Sequence, residues 1–178
     1  MVTDSKNRYT LVAMALHWLI AMLIFALFAI GWYMVDLPRG PDRSANFALH
    51  KSIGLTVLLL AVVRIWWRFF HRPPLHDRAV PAWRVAAARI THLLFYVLLF
   101  LQPVSGYLSS SFSGYQTKVF GVPLPHWGWH DSPLNELFTE IHIMSSVLFV
   151  VFIGIHICGA ISHGFSRSDG VLRRIIPW

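Results

Sequence analysis

Long apolar stretches, separated by short polar ones, dominate this chain. No Asp, Glu, Lys or Arg occurs from Tyr9 to Val35, from Ile90 to Tyr115 or from Ile141 to Phe165, and Ile53–Phe70 carries only Arg64 and Arg68. About 20 helical residues cross the hydrocarbon layer of a bilayer, so these runs predict four transmembrane helices, at about 10–35, 47–70, 85–111 and 135–165. The first run is too long for the apolar core of a secretory signal and carries His17 and Trp18 inside it, so it reads as a mature helix. Turn formers fill 36–46, and Pro73, Pro74 and Pro81 interrupt the chain between the second and third helices. Pro103 and Gly106 should bend the far half of the third helix. The segment 112–134, with Trp127, Trp129 and three prolines, is expected to form a small aromatic cap.

Composition agrees with that pattern. Hydrophobic residues make up 56% of the 178 and charged residues 13%, about half the charged share of a soluble domain. Four spans leave little chain for anything else, so residues 1–178 read as one all-α, integral membrane four-helix bundle. The formal charge of +7 could suggest a nucleic-acid partner, but its distribution gives a simpler account. On one side of the predicted spans lie Lys6, Arg8, Arg64, Arg68, Arg72, Arg78, Arg84, Arg89, Arg167, Arg173 and Arg174; on the other lie Arg39, Arg43, Lys51 and Lys118. Basic residues accumulate on the cytoplasmic side, so both termini are predicted to be cytoplasmic. Nucleic acid is an unnecessary partner, and membrane lipid a necessary one.

Candidate chemistry lies in the histidines. An ionisable side chain inside a membrane span is costly and marks a functional site by default. His142 and His156 are fourteen residues apart on the last helix, which gives about 21 Å of rise and a return to nearly the same face. With the topology above, His17 falls at the depth of His156 and His50 at the depth of His142. Two matched pairs, stacked across the layer, suit two metal centres in series. Imidazole is an axial ligand of haem iron, and two of them close the iron for electron transfer. Histidines that simply hydrogen-bond between helices are the plain alternative. Zinc fits less well, because its ligands should converge on one centre. Gly31, Gly54, Gly154 and Gly159 stand near these positions, where missing side chains would admit a bulky group or close helix packing. Cys158, the single cysteine, excludes an internal disulfide and a Cys-x-x-Cys-His haem attachment; it is expected to be a small buried side chain.

Several segments together carry a family resemblance. They are Ala15-Leu16-His17-Trp18, His50-Lys51-Ser52-Ile53-Gly54, His92-Leu93-Leu94-Phe95-Tyr96, Pro103-Val104-Ser105-Gly106, Ile161-Ser162-His163 beyond His142 and His156, and Asp169-Gly170-Val171-Leu172-Arg173-Arg174. As a set, over nearly the whole chain, they resemble the bacterial cytochrome b561 family, which is related to the cytochrome b subunits of nickel–iron hydrogenases. The resemblance implies a multi-pass protein of the bacterial inner membrane with two haem b groups. It implies that His17, His50, His142 and His156 are the axial ligands, and that electrons are exchanged with ubiquinone. Some relatives oxidise periplasmic superoxide; others relay electrons for a partner dehydrogenase or hydrogenase.

The remaining polar residues refine the expectation. His92 and His163 lie near the cytoplasmic ends of their helices, where a quinone carbonyl or a haem propionate would need a donor. Lys51 beside His50, and Arg64, could each hold a propionate; snorkelling and topology control are the alternative for Arg64 and Arg68. His71, His76, His126 and His130 read as solvated. The outer side is not broadly basic, since Asp36, Asp42, Asp131, Glu136 and Glu140 offset its cations; Lys51 is the local exception. The function expected is therefore electron transfer between a periplasmic-side donor, superoxide or a redox partner protein, and quinone. A relay subunit, or a haem-free transporter with proton-carrying histidines, are the rivals.

Overall fold

The structure is a computed structural model that describes residues 8–71, 81–125, 128–165 and 174–176, without the side chains of 163–165. Lys6, Arg72, Pro73, Pro74, His76, Arg78, His126, Trp127, Arg167, Arg173 and the side chain of His163 lie outside the described residues.

Four long helices follow one another: α1 Leu11–Asp36, α2 Pro41–Phe70, α3 Ala82–Phe112 and α4 Ser132–Phe165. All four are long and apolar enough to cross a membrane. Their starts show local control. The Thr10 side chain accepts from Ala13 N at 3.2 Å and caps α1. Asp131 accepts from Leu134 N at 3.0 Å and caps α4. Three helices begin earlier than the sequence pattern predicts, α2 at Pro41 instead of 47, α3 at Ala82 instead of 85 and α4 at Ser132 instead of 135. For α2 and α4 the reason is shared: Pro41 and Pro133 sit in first turns, where a missing N–H costs nothing. Hydropathy marks the apolar span, while caps and proline set where the helix starts.

Neighbouring helices run antiparallel. Trp67 Nε1 donates to Thr10 Oγ1 at 2.9 Å and Arg64 to the Ala13 carbonyl at 2.8 Å, which fixes the end of α2 beside the start of α1. The chain ends meet there too. Tyr9 N bonds Arg174 O at 3.2 Å and Trp18 Nε1 bonds Ile175 O at 3.0 Å. We name this the terminal end of the bundle. The opposite end carries an antiparallel hairpin of β1 Lys118–Val119 and β2 Val122–Pro123. Phe120 and Gly121 at its tip both have positive φ, 46° and 87°, as a tight two-residue hairpin turn requires. Phe120 N donates to Ser52 Oγ at 2.9 Å, which ties the hairpin to α2.

Ile20, Val57, Ala61, Leu98, Leu99 and Phe149 form the buried core. Elsewhere large apolar side chains face outward, among them Met22, Leu59, Val147 and Val151. A helix that is apolar on every side suits lipid, which does not penalise an exposed leucine. Close backbone approach joins α1 to α2, α2 to α3 and α3 to α4. Between α4 and the α1/α2 pair, contact is made mainly by long side chains, and the histidines are among them. Cys158 departs from expectation, for it is exposed. Two residues turn a helix by about 200°, so a residue two past the inward-facing His156 points away.

Candidate functional site

Each end of the bundle holds one histidine pair. At the terminal end, His17 of α1 faces His156 of α4, with ring centroids 6.3 Å apart and planes at 68°. At the hairpin end, His50 of α2 faces His142 of α4, at 6.2 Å and 75°. The near-equality has a simple chemical meaning. With a metal–nitrogen bond of about 2 Å and a ring centre roughly 1 Å behind the nitrogen, two imidazoles on one metal ion have centroids roughly 6 Å apart. Both pairs stand at that separation, and in both the partners come from helices with little or no close backbone contact. Among the described residues no three of His, Cys, Asp or Glu converge on one point as a metal cluster. Each pair therefore offers two imidazoles, a donor set that would suit a haem iron with two protein ligands.

The hairpin-end pair is held from behind. His142 Nδ1 donates to the Gln102 carbonyl at 2.8 Å, which leaves Nε2 as the free lone pair facing His50. Gln102 also donates from Nε2 to the His142 carbonyl at 2.9 Å and to Ser145 Oγ at 2.7 Å. Gln102 carries no recognisable motif of its own. Its signal was available only as a lone amide in an apolar run, one residue before Pro103. Gly106 completes the fit. A Cβ there would lie 3.1 Å from both Nδ1 and Cε1 of His142. Gln102 and Gly106 are one turn apart on α3, so the missing side chain opens the approach of the ring to the carbonyl. Gly31 does the same for His50, whose Cε1 a Cβ would meet at 3.3 Å. His50 Nδ1 is buried near the Leu27 carbonyl but outside hydrogen-bond geometry. Gly54, Gly154 and Gly159 do not share this role: a Cβ at any of them would meet nothing within 4 Å.

The terminal-end pair has different company. His92 of α3 lies 5.8 Å from His156, and Phe95 stands edge-on to His156 at 5.3 Å. The Trp18 ring lies 5.3 Å from His17 while its N–H reaches the chain's C-terminal segment. Arg64 is half-buried nearby, bonded to the Ala13 carbonyl and close to the Tyr96 hydroxyl. Lys51 is the cation at the other end; its Nζ donates to Ser110 Oγ at 2.7 Å, and Thr117 Oγ1 donates to the same oxygen at 2.8 Å. An ammonium has three donors and a guanidinium five, so both cations have capacity beyond these neutral oxygens. His71 is exposed and stacked on Trp67 at 4.0 Å, and His130 is exposed beside Gly114. Neither joins a pair. His163 lies on the last turn of α4.

Comparison with known proteins gives the arrangement its context. The family model of prokaryotic cytochrome b561 matches residues 8–178. The chain is 31% identical to cytochrome b561 homolog 2 of Escherichia coli K12, over 98% of this chain and 94% of that protein. It is 24% identical to cytochrome b561 homolog 1 of the same organism, over 96% of this chain and 98% of that one. A match over nearly the whole chain, with four helices able to span a bilayer, leads to one conclusion: the chain belongs to the prokaryotic cytochrome b561 family of multi-pass bacterial membrane proteins, which bind b-type haem and transfer electrons.

Proposed function

We propose that this chain holds two haem b groups, one between His50 and His142 and one between His17 and His156, and moves electrons between a periplasmic-side donor and the ubiquinone pool. The carrying observation is the pair of matched separations, 6.2 and 6.3 Å, at opposite ends of the bundle. A haem b with two histidine ligands exchanges single electrons while its iron stays closed to other ligands. The protein supplies the rest. Gln102, Gly106 and Gly31 aim the hairpin-end rings. Lys51 and Arg64, one near each pair, are the cations proposed to hold the propionates. His92, beside His156, is the donor proposed for a quinone carbonyl or a propionate at the terminal end, with His163 on the same stretch of helix.

Topology orients the path. The arginine-rich side is assigned to the cytoplasm, so both termini are cytoplasmic, the hairpin end is periplasmic, and the membrane is the bacterial inner membrane. Superoxide is the donor proposed, because Lys51 places a cation beside a histidine of the outer pair. A second reading, an electron-relay subunit for a dehydrogenase or hydrogenase, is favoured by the hairpin-end surface: Tyr115, Phe120 and Trp129 are 76%, 67% and 67% exposed, a face that a partner protein could cover.

Three measurements test the proposal. Dithionite-reduced, purified protein should show b-type bands and two haems per chain; one or none would end the two-site reading. Superoxide should reduce the haem in the presence of quinone; its failure to do so would favour the relay subunit. His92→Ala should keep both haems while slowing electron exchange with quinone, and an unchanged rate would remove His92 from the quinone role.

A further inference from the structure

Phe149 lies midway between His142 and His156 on α4, seven residues from each. Two turns in either direction bring a helix back to nearly the same face. The side chain is 4% exposed. Its ring meets Phe28 of α1 edge-on at 6.1 Å and Phe95 of α3 at 5.8 Å, and Phe95 in turn stands edge-on to His156. The rest of the buried core, Ile20, Val57, Ala61, Leu98 and Leu99, belongs to the same apolar cluster. Among the described residues, this cluster of buried apolar side chains therefore lies between the two histidine pairs.

We propose that Phe149 is the bridging residue for electron exchange between the two sites. With Phe95 it fills the gap with packed atoms, fixes the separation of the sites and keeps water out. The inference rests on the two-haem reading. One electron leaves one site and arrives at the other; no bond forms or breaks, and no proton moves. Electronic coupling falls steeply with distance, and faster across a void than through packed matter. Replacing the ring by a smaller side chain leaves such a void, because a close-packed core relaxes only partly. The void would be lined by apolar atoms and stay dry, so the driving force should hold while the coupling drops.

The test uses the full-length protein with both haems bound, and the variants Phe149→Leu and Phe149→Ala. One site is reduced by a pulse of radiolytic electrons, and re-equilibration is followed at the two haem bands. Haem content and both midpoint potentials are measured alongside. The expected result is two haems per chain, potentials unchanged, and exchange several-fold slower in Phe149→Leu and slower still in Phe149→Ala. If Phe149→Ala loses haem, Phe149→Leu decides alone. Parental exchange rates in variants that retain both haems overturn the proposal. Fewer than two haems in the parent protein would instead overturn the reading beneath it, so the two failures are distinguishable.

Discussion

The two histidine pairs have almost the same ring geometry and very different surroundings. At the hairpin end, His142 is fixed by the Gln102 carbonyl, and glycines clear space beside both rings. At the terminal end, the pair sits among a third histidine, Phe95, Trp18 and Arg64. In the proposed two-haem reading the axial ligands are the same, so hydrogen bonding, burial and nearby charge are the levers left to separate the two potentials. The lesson is a division of labour: the hairpin end is built to hold a ligand still, and the terminal end to place polar groups around one.

Substitutions can break that comparison, beginning with the largest effects. His142→Ala should remove one haem and leave the other, and His156→Ala should remove the complementary one. Difference spectra of the two variants should sum to the parent; loss of neither haem in either variant breaks the pairing. Gly106→Val should come next. A Cβ already approaches His142 at 3.1 Å, and overpacking of this kind costs roughly 1–3 kcal/mol. Haem should be lost from the hairpin end alone, as the remaining absorption band will show.

Smaller effects sharpen the contrast. Arg64→Gln should lower the midpoint potential of the terminal-end haem more than that of its partner, because a cation favours the form with the extra electron. Lys51→Gln should do the reverse. Equal shifts at both haems in a redox titration would mean that neither cation is local to its pair. Gln102→Ala removes two hydrogen bonds to α4 but leaves the backbone acceptor of His142; it should cost about 1 kcal/mol for each bond, read as easier haem loss from the hairpin end on heating. Trp18→Phe loses one bond to the Ile175 carbonyl, about 1 kcal/mol at most. It should slightly weaken haem retention at the terminal end and leave the hairpin end untouched.

Much of this was legible in the chain. Four spans followed from unbroken apolar runs, because a bilayer demands length and hydrophobicity that few other environments tolerate. The depth of each histidine followed from helical rise, and the topology set by the basic residues then paired His142 with His50 and His156 with His17. The glycines were harder. Gly31, Gly54, Gly154 and Gly159 look alike as letters, yet only Gly31 abuts a paired histidine, and Gly106, expected to bend its helix, does so more closely. Cys158 pointed outward against expectation.

Hydropathy and period along one helix are local properties, so the sequence alone determined the spans, the order of the helices and the level at which each histidine sits. The tertiary structure decided what those levels touch. A backbone carbonyl such as that of Gln102 is present at every residue and leaves no mark in the sequence. Whether it meets a ring depends on how α3 and α4 are rotated against each other. That rotation is set by the packing of many side chains at once, Gly106 and Phe149 among them, and no single stretch of chain contains it.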